Sequence, residues 1–96
     1  MLLVIDVGNT QTVVGLYNTG DRSHELFDHW RLATRVDRTG DEIALMLREL
    51  LATRQLEVEN DVAGVAISSG VPTVTAELRL VCERYLQIEP VVLGTG

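Results

Sequence analysis

The 96-residue sequence predicts an α/β domain: a mixed sheet in the order β-β-β-α-β-α-β, with helices on its faces. Three observations carry that prediction. Residues 2–5, 62–67 and 91–93 are continuous apolar runs, the mark of strands covered on both sides. Two segments with apolar residues at helical spacing separate the last two runs from what precedes them, which calls for parallel crossovers. The first run is followed at once by a sharp turn and a β-branched returning strand, which calls for an antiparallel hairpin.

In chain order, the run 2–5 is a central strand, and Asp6-Val7-Gly8-Asn9-Thr10 turns away from its end. Gly8 removes a Cβ clash, and Asn9 tolerates unusual backbone angles and bonds to its own backbone. Thr12-Val13-Val14-Gly15-Leu16-Tyr17 is the returning strand, and Asn18-Thr19-Gly20-Asp21 is a turn cluster. Over residues 26–32, Leu26, Asp28, Trp30 and Leu32 share one face, and Phe27, His29 and Arg31 share the other. Mixed polarity on both faces predicts a third strand at a sheet edge, completing a meander.

Residues 34–38 are polar, and Thr39-Gly40-Asp41-Glu42 matches a capping box that opens a helix. Ile43, Met46, Leu47, Leu50 and Leu51 form its apolar stripe, which ends near Thr53. Residues 55–61 read as a polar connection. After the strand 62–67, Ser68-Ser69-Gly70 is a turn of small residues, with Ser69 placed to cap the next helix. Pro72 suits that helix's first turn, and Val74, Leu78, Val81, Cys82 and Tyr85 make its stripe. Pro90 ends the pattern, 91–93 is a strand, and Gly94-Thr95-Gly96 reads as the start of a loop. The expectation is a single unit over residues 1–96, the first part of a longer protein.

Composition removes several function classes. The formal net charge is -6 and no basic run exists, which argues against nucleic acid or an anionic membrane as partner. All eight cations are Arg. Without Lys there is no Walker P-loop, no Schiff base and no Ser-Lys pair. The single Cys82 allows no intramolecular disulfide and fits a reducing compartment. No apolar run approaches the roughly 18 residues of a membrane span. No basic segment precedes the first apolar run, so a signal peptide is not expected. A cytoplasmic soluble domain is the simplest reading.

The turn after the first strand is the candidate site. Tight turns offer N–H donors to phosphate oxygens, Thr10 and Thr12 add hydroxyls, and Asp6 is suited to Mg²⁺ directly or through water. An ordinary hairpin explains the same residues; its place at the carboxyl end of a central strand favours ligand binding. Ser68 and Ser69 sit at the equivalent end of a second strand. The segment from Arg38 to Glu42 reads as a helix cap, with a cleft or dimer surface as the alternative. Trp30 and Tyr85 read as packing residues and Cys82 as an inert buried thiol. His24 and His29 lack partners at metal spacing.

Leu3-Val4-Ile5-Asp6-Val7-Gly8-Asn9-Thr10 resembles the first phosphate motif of type III pantothenate kinases. Three further stretches are similar to that family in order. Trp30-Arg31-Leu32, with Arg38-Thr39-Gly40-Asp41-Glu42, resembles the lead into its first helix. Ala66-Ile67-Ser68-Ser69-Gly70-Val71-Pro72 resembles its next strand and turn. Pro90-Val91-Val92-Leu93-Gly94 resembles the strand before its substrate loop. Gln11 departs from the Asn often found there.

The resemblance implies one lobe of an actin-like (acetate and sugar kinase, ribonuclease H-like) fold. It implies ATP-dependent phosphorylation of pantothenate to 4'-phosphopantothenate, the first step of coenzyme A synthesis. ATP with Mg²⁺, a monovalent cation (K⁺ or NH₄⁺) and a homodimer come with it. Asp6, Val7, Gly8, Asn9, Thr10, Gln11, Thr12 and Val13 would be the nucleotide-phosphate segment, with Asp6 holding Mg²⁺ through water. The family's catalytic Asp, its Gly-x-Asp-Arg motif, its second phosphate motif and its adenosine region would lie beyond Gly96. The 96 residues alone are therefore expected to be inactive. The alternatives are a non-catalytic ligand-sensing or regulatory module, and a different actin-like sugar or acid kinase.

Overall fold

A computed structural model describes residues 1–20 and 25–93. The expected turn residue Asp21, as well as His24 and the glycines of the final loop, lie outside the described residues. Five strands form one sheet in the order β3-β2-β1-β4-β5. β1 (Leu2–Val7), β2 (Gln11–Tyr17) and β3 (Leu26–Ala33) form an antiparallel meander. β4 (Gly64–Ser69) pairs parallel with β1, and β5 (Val91–Leu93) parallel with β4. The predicted strand order along the chain, its edge strand and its parallel second half are all present.

The helices are α1 (Gly40–Ala52), a single short turn α2 (Val58–Asp61), and α3 (Pro72–Val81), which runs on into a π-helical turn over Cys82–Leu86. α1 opens on the predicted capping box. The Thr39 side chain accepts from the Glu42 N–H at 3.2 Å, and Glu42 Oε1 accepts from the Thr39 N–H at 2.9 Å. That backbone N–H is the main reason the Glu42 carboxyl lies below its usual range. α2 replaces part of the connection expected over 55–61, because Val58 and Val62, four apart, are both buried. The π turn closes with Ile88 N–H bonded to the Cys82 carbonyl, and Gln87 ends it at φ 52°.

The core lies between one sheet face and the helices. Leu3, Ile5, Val7, Val14, Leu16, Val65 and Ile67 of the sheet pack with Leu47, Leu51, Val74, Leu78 and Val81. The alternate residues of the central strands, among them Val4, Asp6, Val13, Ala66 and Ser68, are more exposed. No described helix covers that second face, which corrects the expectation of helices on both faces. The continuous apolar runs misled because β-branched residues also serve strand geometry on a half-exposed surface.

Edge strand β3 carries a further correction. A register shift beside Leu16 and Tyr17 sets Leu16 opposite Asp28 and Tyr17 opposite Leu26. Phe27 becomes the extra residue, and Leu26 leaves the Trp30 and Leu32 face to join Gly15 and Tyr17 on the uncovered one. Trp30 packs against the core, as predicted. Cys82 is buried, and burial pushes its thiol pKa up, as an inert thiol requires. Tyr85 departs from the simple packing role: its hydroxyl donates to Asp41 in the first turn of α1.

Gly40 is buried where α1 meets α3. A Cβ there would stand 3.0 Å from the Glu77 carbonyl oxygen and 3.4 Å from the Leu80 Cβ. Backbone cannot yield as a side-chain tip can, so the helices must part. Gly40→Ala is expected to cost about 1–3 kcal/mol, read as a lower urea midpoint. An unchanged midpoint would show that the α1–α3 contact is soft.

Candidate functional site

The site stands at the carboxyl ends of the neighbouring parallel strands β1 and β4, where open α/β sheets bind ligands. The Gly8 N–H donates to the Gln11 carbonyl at 2.9 Å and closes the β1–β2 hairpin over Asn9 and Thr10. A Cβ on Gly8 would lie 3.1 Å from that same carbonyl oxygen, so close backbone approach is what asks for glycine. Asn9 does not use left-handed backbone; among the described non-glycine residues only Gln55 and Gln87 do.

The hairpin is closed on one side only. The Gly8 carbonyl accepts the Thr34 hydroxyl at 2.7 Å, and the Thr34 N–H donates to the Thr10 carbonyl at 3.0 Å. Thr34 Oγ1 also lies 2.8 Å from Thr12 Oγ1. A hydroxyl has one proton. Thr34 spends its proton on Gly8, so Thr12 is the donor of the second bond. The N–H groups of Asn9, Thr10 and Gln11 find no protein acceptor among the described residues.

These facts sort the predicted residues. Asp6, Gly8, Asn9, Thr10 and Gln11 are exposed together at the strand ends. Val7 and Thr12 turn into the covered side, and the Thr12 hydroxyl proton is already committed. Val13 lies on the uncovered face. Asp6 sits on that face too, in register between Val13 of β2 and Ser68 of β4. Arg31 follows next to Val13 and donates to Gln11 Oε1 at 3.2 Å.

The neighbouring β4–α3 turn is tied to this hairpin by the Gly70 N–H, 3.4 Å from the Val7 carbonyl. Ser69 does not cap α3, whose N-cap is Val71. It is buried and bonds both the N–H and the carbonyl of Val71, at 3.0 and 3.2 Å. Ser68, not Ser69, is the serine beside Asp6.

A family model described as type III pantothenate kinase matches residues 2–96. The chain belongs to the type III pantothenate kinase family. It is also 42% identical, over all 96 residues, to the type III pantothenate kinase of Halalkalibacterium halodurans, and spans 36% of that protein's length. A Ppx/GppA phosphatase structure from Aquifex aeolicus is similar at a TM-score of 0.49 and 15% identity, over 95% of this chain and 35% of that one.

In this member of the type III pantothenate kinase family, one arginine reaches the turn, Arg31 of β3. Arg35 and Arg38 follow β3 on the segment that leads into α1. Arg35 is paired with Asp37 at 2.9 Å, and its guanidinium holds the Asp37 carboxyl below its usual range. Arg38 donates to the Ala33 carbonyl, and Arg31 to a neutral amide. Neither has a carboxylate partner among the described residues. Three or more metal-ligating side chains do not come together among the described residues. No described helix is long and apolar enough to cross a membrane.

Sequence reasoning missed Thr34, which it read only as part of a polar run. Nothing local marks it, because its bonds reach back 22 and 26 residues in the chain.

Proposed function

We propose that the chain forms one wall of the nucleotide site of an ATP-dependent pantothenate kinase, as the first lobe of an actin-like, two-lobed enzyme. The observation that carries this reading is the family match over residues 2–96, joined to a turn whose three consecutive N–H groups lack protein acceptors. Such a turn is a concave set of donors for phosphate oxygens. Phosphoryl transfer asks mainly for positioning and charge neutralisation. Arg31, bonded to Gln11 of the turn, adds positive charge there to a chain that is otherwise acidic.

Asp6 fits Mg²⁺ carried by ATP. Its carboxylate is exposed and has no hydrogen-bond partner among the described residues. One carboxylate suffices, since Mg²⁺ keeps several waters and takes its other ligands from phosphates. Bound there, the ion would neutralise phosphate charge. The monovalent cation, the homodimer and a cytoplasmic setting belong to the same reading. So does a catalytic carboxylate supplied by the additional length that the Halalkalibacterium relative has.

The test is the full-length protein carrying this sequence, given ATP, Mg²⁺, K⁺ and pantothenate. Formation of 4'-phosphopantothenate is expected, and none from the 96 residues alone. ATP binding without product from the full-length protein would overturn the kinase reading in favour of a sensing module.

A further inference from the structure

The Gly8 carbonyl is the anomaly of the hairpin. Its neighbour bond is made in one direction only: the Gly8 N–H reaches the Gln11 carbonyl, and the reciprocal Gln11 N–H to Gly8 carbonyl bond is absent. The carbonyl instead takes the Thr34 hydroxyl at 2.7 Å. In an ordinary two-residue hairpin both bonds form, and Gln11 N–H would be consumed. A carbonyl oxygen near bound phosphate would also repel it. Holding that oxygen on a hydroxyl of β3's end removes both problems together.

We infer that Thr34 is a positioning residue for the phosphate turn: its hydroxyl claims the Gly8 carbonyl and so leaves the Asn9, Thr10 and Gln11 N–H groups free for phosphate oxygens. Thr12 completes the device. Its hydroxyl donates to Thr34 Oγ1, orienting the Thr34 proton toward Gly8. The Thr34 N–H bond to the Thr10 carbonyl, 3.0 Å, fixes a second carbonyl of the same turn. Thr34 thus holds the acceptors at both ends of the turn while touching no ligand itself. Thr12 becomes part of the support rather than a phosphate contact. The assignment rests on the proposed nucleotide site.

The test uses the full-length protein and compares Thr34→Val, Thr34→Ser and Thr12→Val with the wild type. Thr34→Val keeps the β-branched shape of a strand end and loses only the hydroxyl. It should raise the KM for ATP by about 3- to 10-fold, the worth of one hydrogen bond, with the KM for pantothenate unchanged. Thr34→Ser should restore the KM for ATP, which a purely packing role would not predict. Thr12→Val should give a smaller rise of about 2- to 3-fold. If Thr34→Val does not fold, Thr12→Val decides, and an unchanged KM for ATP there overturns the inference. An active wild type with an unchanged Thr34→Val also overturns it, leaving the kinase reading intact. A wild type without turnover fails in the first arm, and the inference falls with the function it rests on.

Discussion

On the proposed kinase reading, Asp6→Asn in the full-length protein is expected to lower turnover of ATP and pantothenate by about 100-fold or more, the scale seen when a preorganised charge contact is lost. The substitution keeps the shape of the side chain and removes its charge. The fold should be indifferent to it, because the Asp6 side chain is exposed and bonds to nothing among the described residues. Stability should stay within about 0.5 kcal/mol of the wild type, as for surface changes away from special features. The two readouts together separate the roles. Lost turnover with an intact melt places Asp6 at the metal–phosphate end of the site. Unchanged kinetics would leave it a turn residue, and raising Mg²⁺ in the assay should partly recover a variant that has only weakened metal positioning.

The parts of this fold that were readable in advance are those governed by neighbours in sequence. The capping box at Thr39 and Glu42 needs only four residues, and it forms as expected. Pro72 opens α3 for an equally local reason: its missing N–H falls where no intrahelical partner exists. The crossovers through α1 and α3 follow from the alternation of strand and helix patterns. Features that depend on distant partners were not readable. The covered and uncovered faces of β1 carry similar residues, Leu3 and Val4, so the pattern could not say that helices lie on one side. Phe27 is the extra residue of β3 only in its pairing with β2, a strand that ends at Tyr17, nine residues before β3 begins at Leu26. Within the turn, the exposed group from Gly8 to Gln11 was legible, since small polar residues mark it. The division of labour between Thr10 and Thr12 was not. It is set by Thr34, more than twenty residues away.

Leu47→Ala is expected to cost about 3–4 kcal/mol, in the upper part of the range for buried leucines. Leu47 is 1% exposed and sits in α1 against the covered face of the sheet. A cavity of about 30 Å³ already lies beside it, lined by Ile5, Val14, Met46 and Leu78 among others. Truncation would join the lost side chain's volume to that void, and β1 and β2, locked in register, cannot collapse to fill it. The residual cavity is what raises the cost above the transfer term. Leu45, two positions away in the same helix, is 57% exposed and supplies the contrast. Leu45→Ala should change stability by no more than about 0.5 kcal/mol. A total stability of about 5–15 kcal/mol makes the first change a large fraction of the whole. With a urea slope of about 1–3 kcal/mol/M, the Leu47→Ala midpoint should fall by more than about 1 M. Equal midpoints for the two variants would mean that α1 does not pack on the sheet by its Leu47 and Leu51 stripe. In that case the turn from Gly8 to Gln11 would lack the rigid base on which a phosphate site depends.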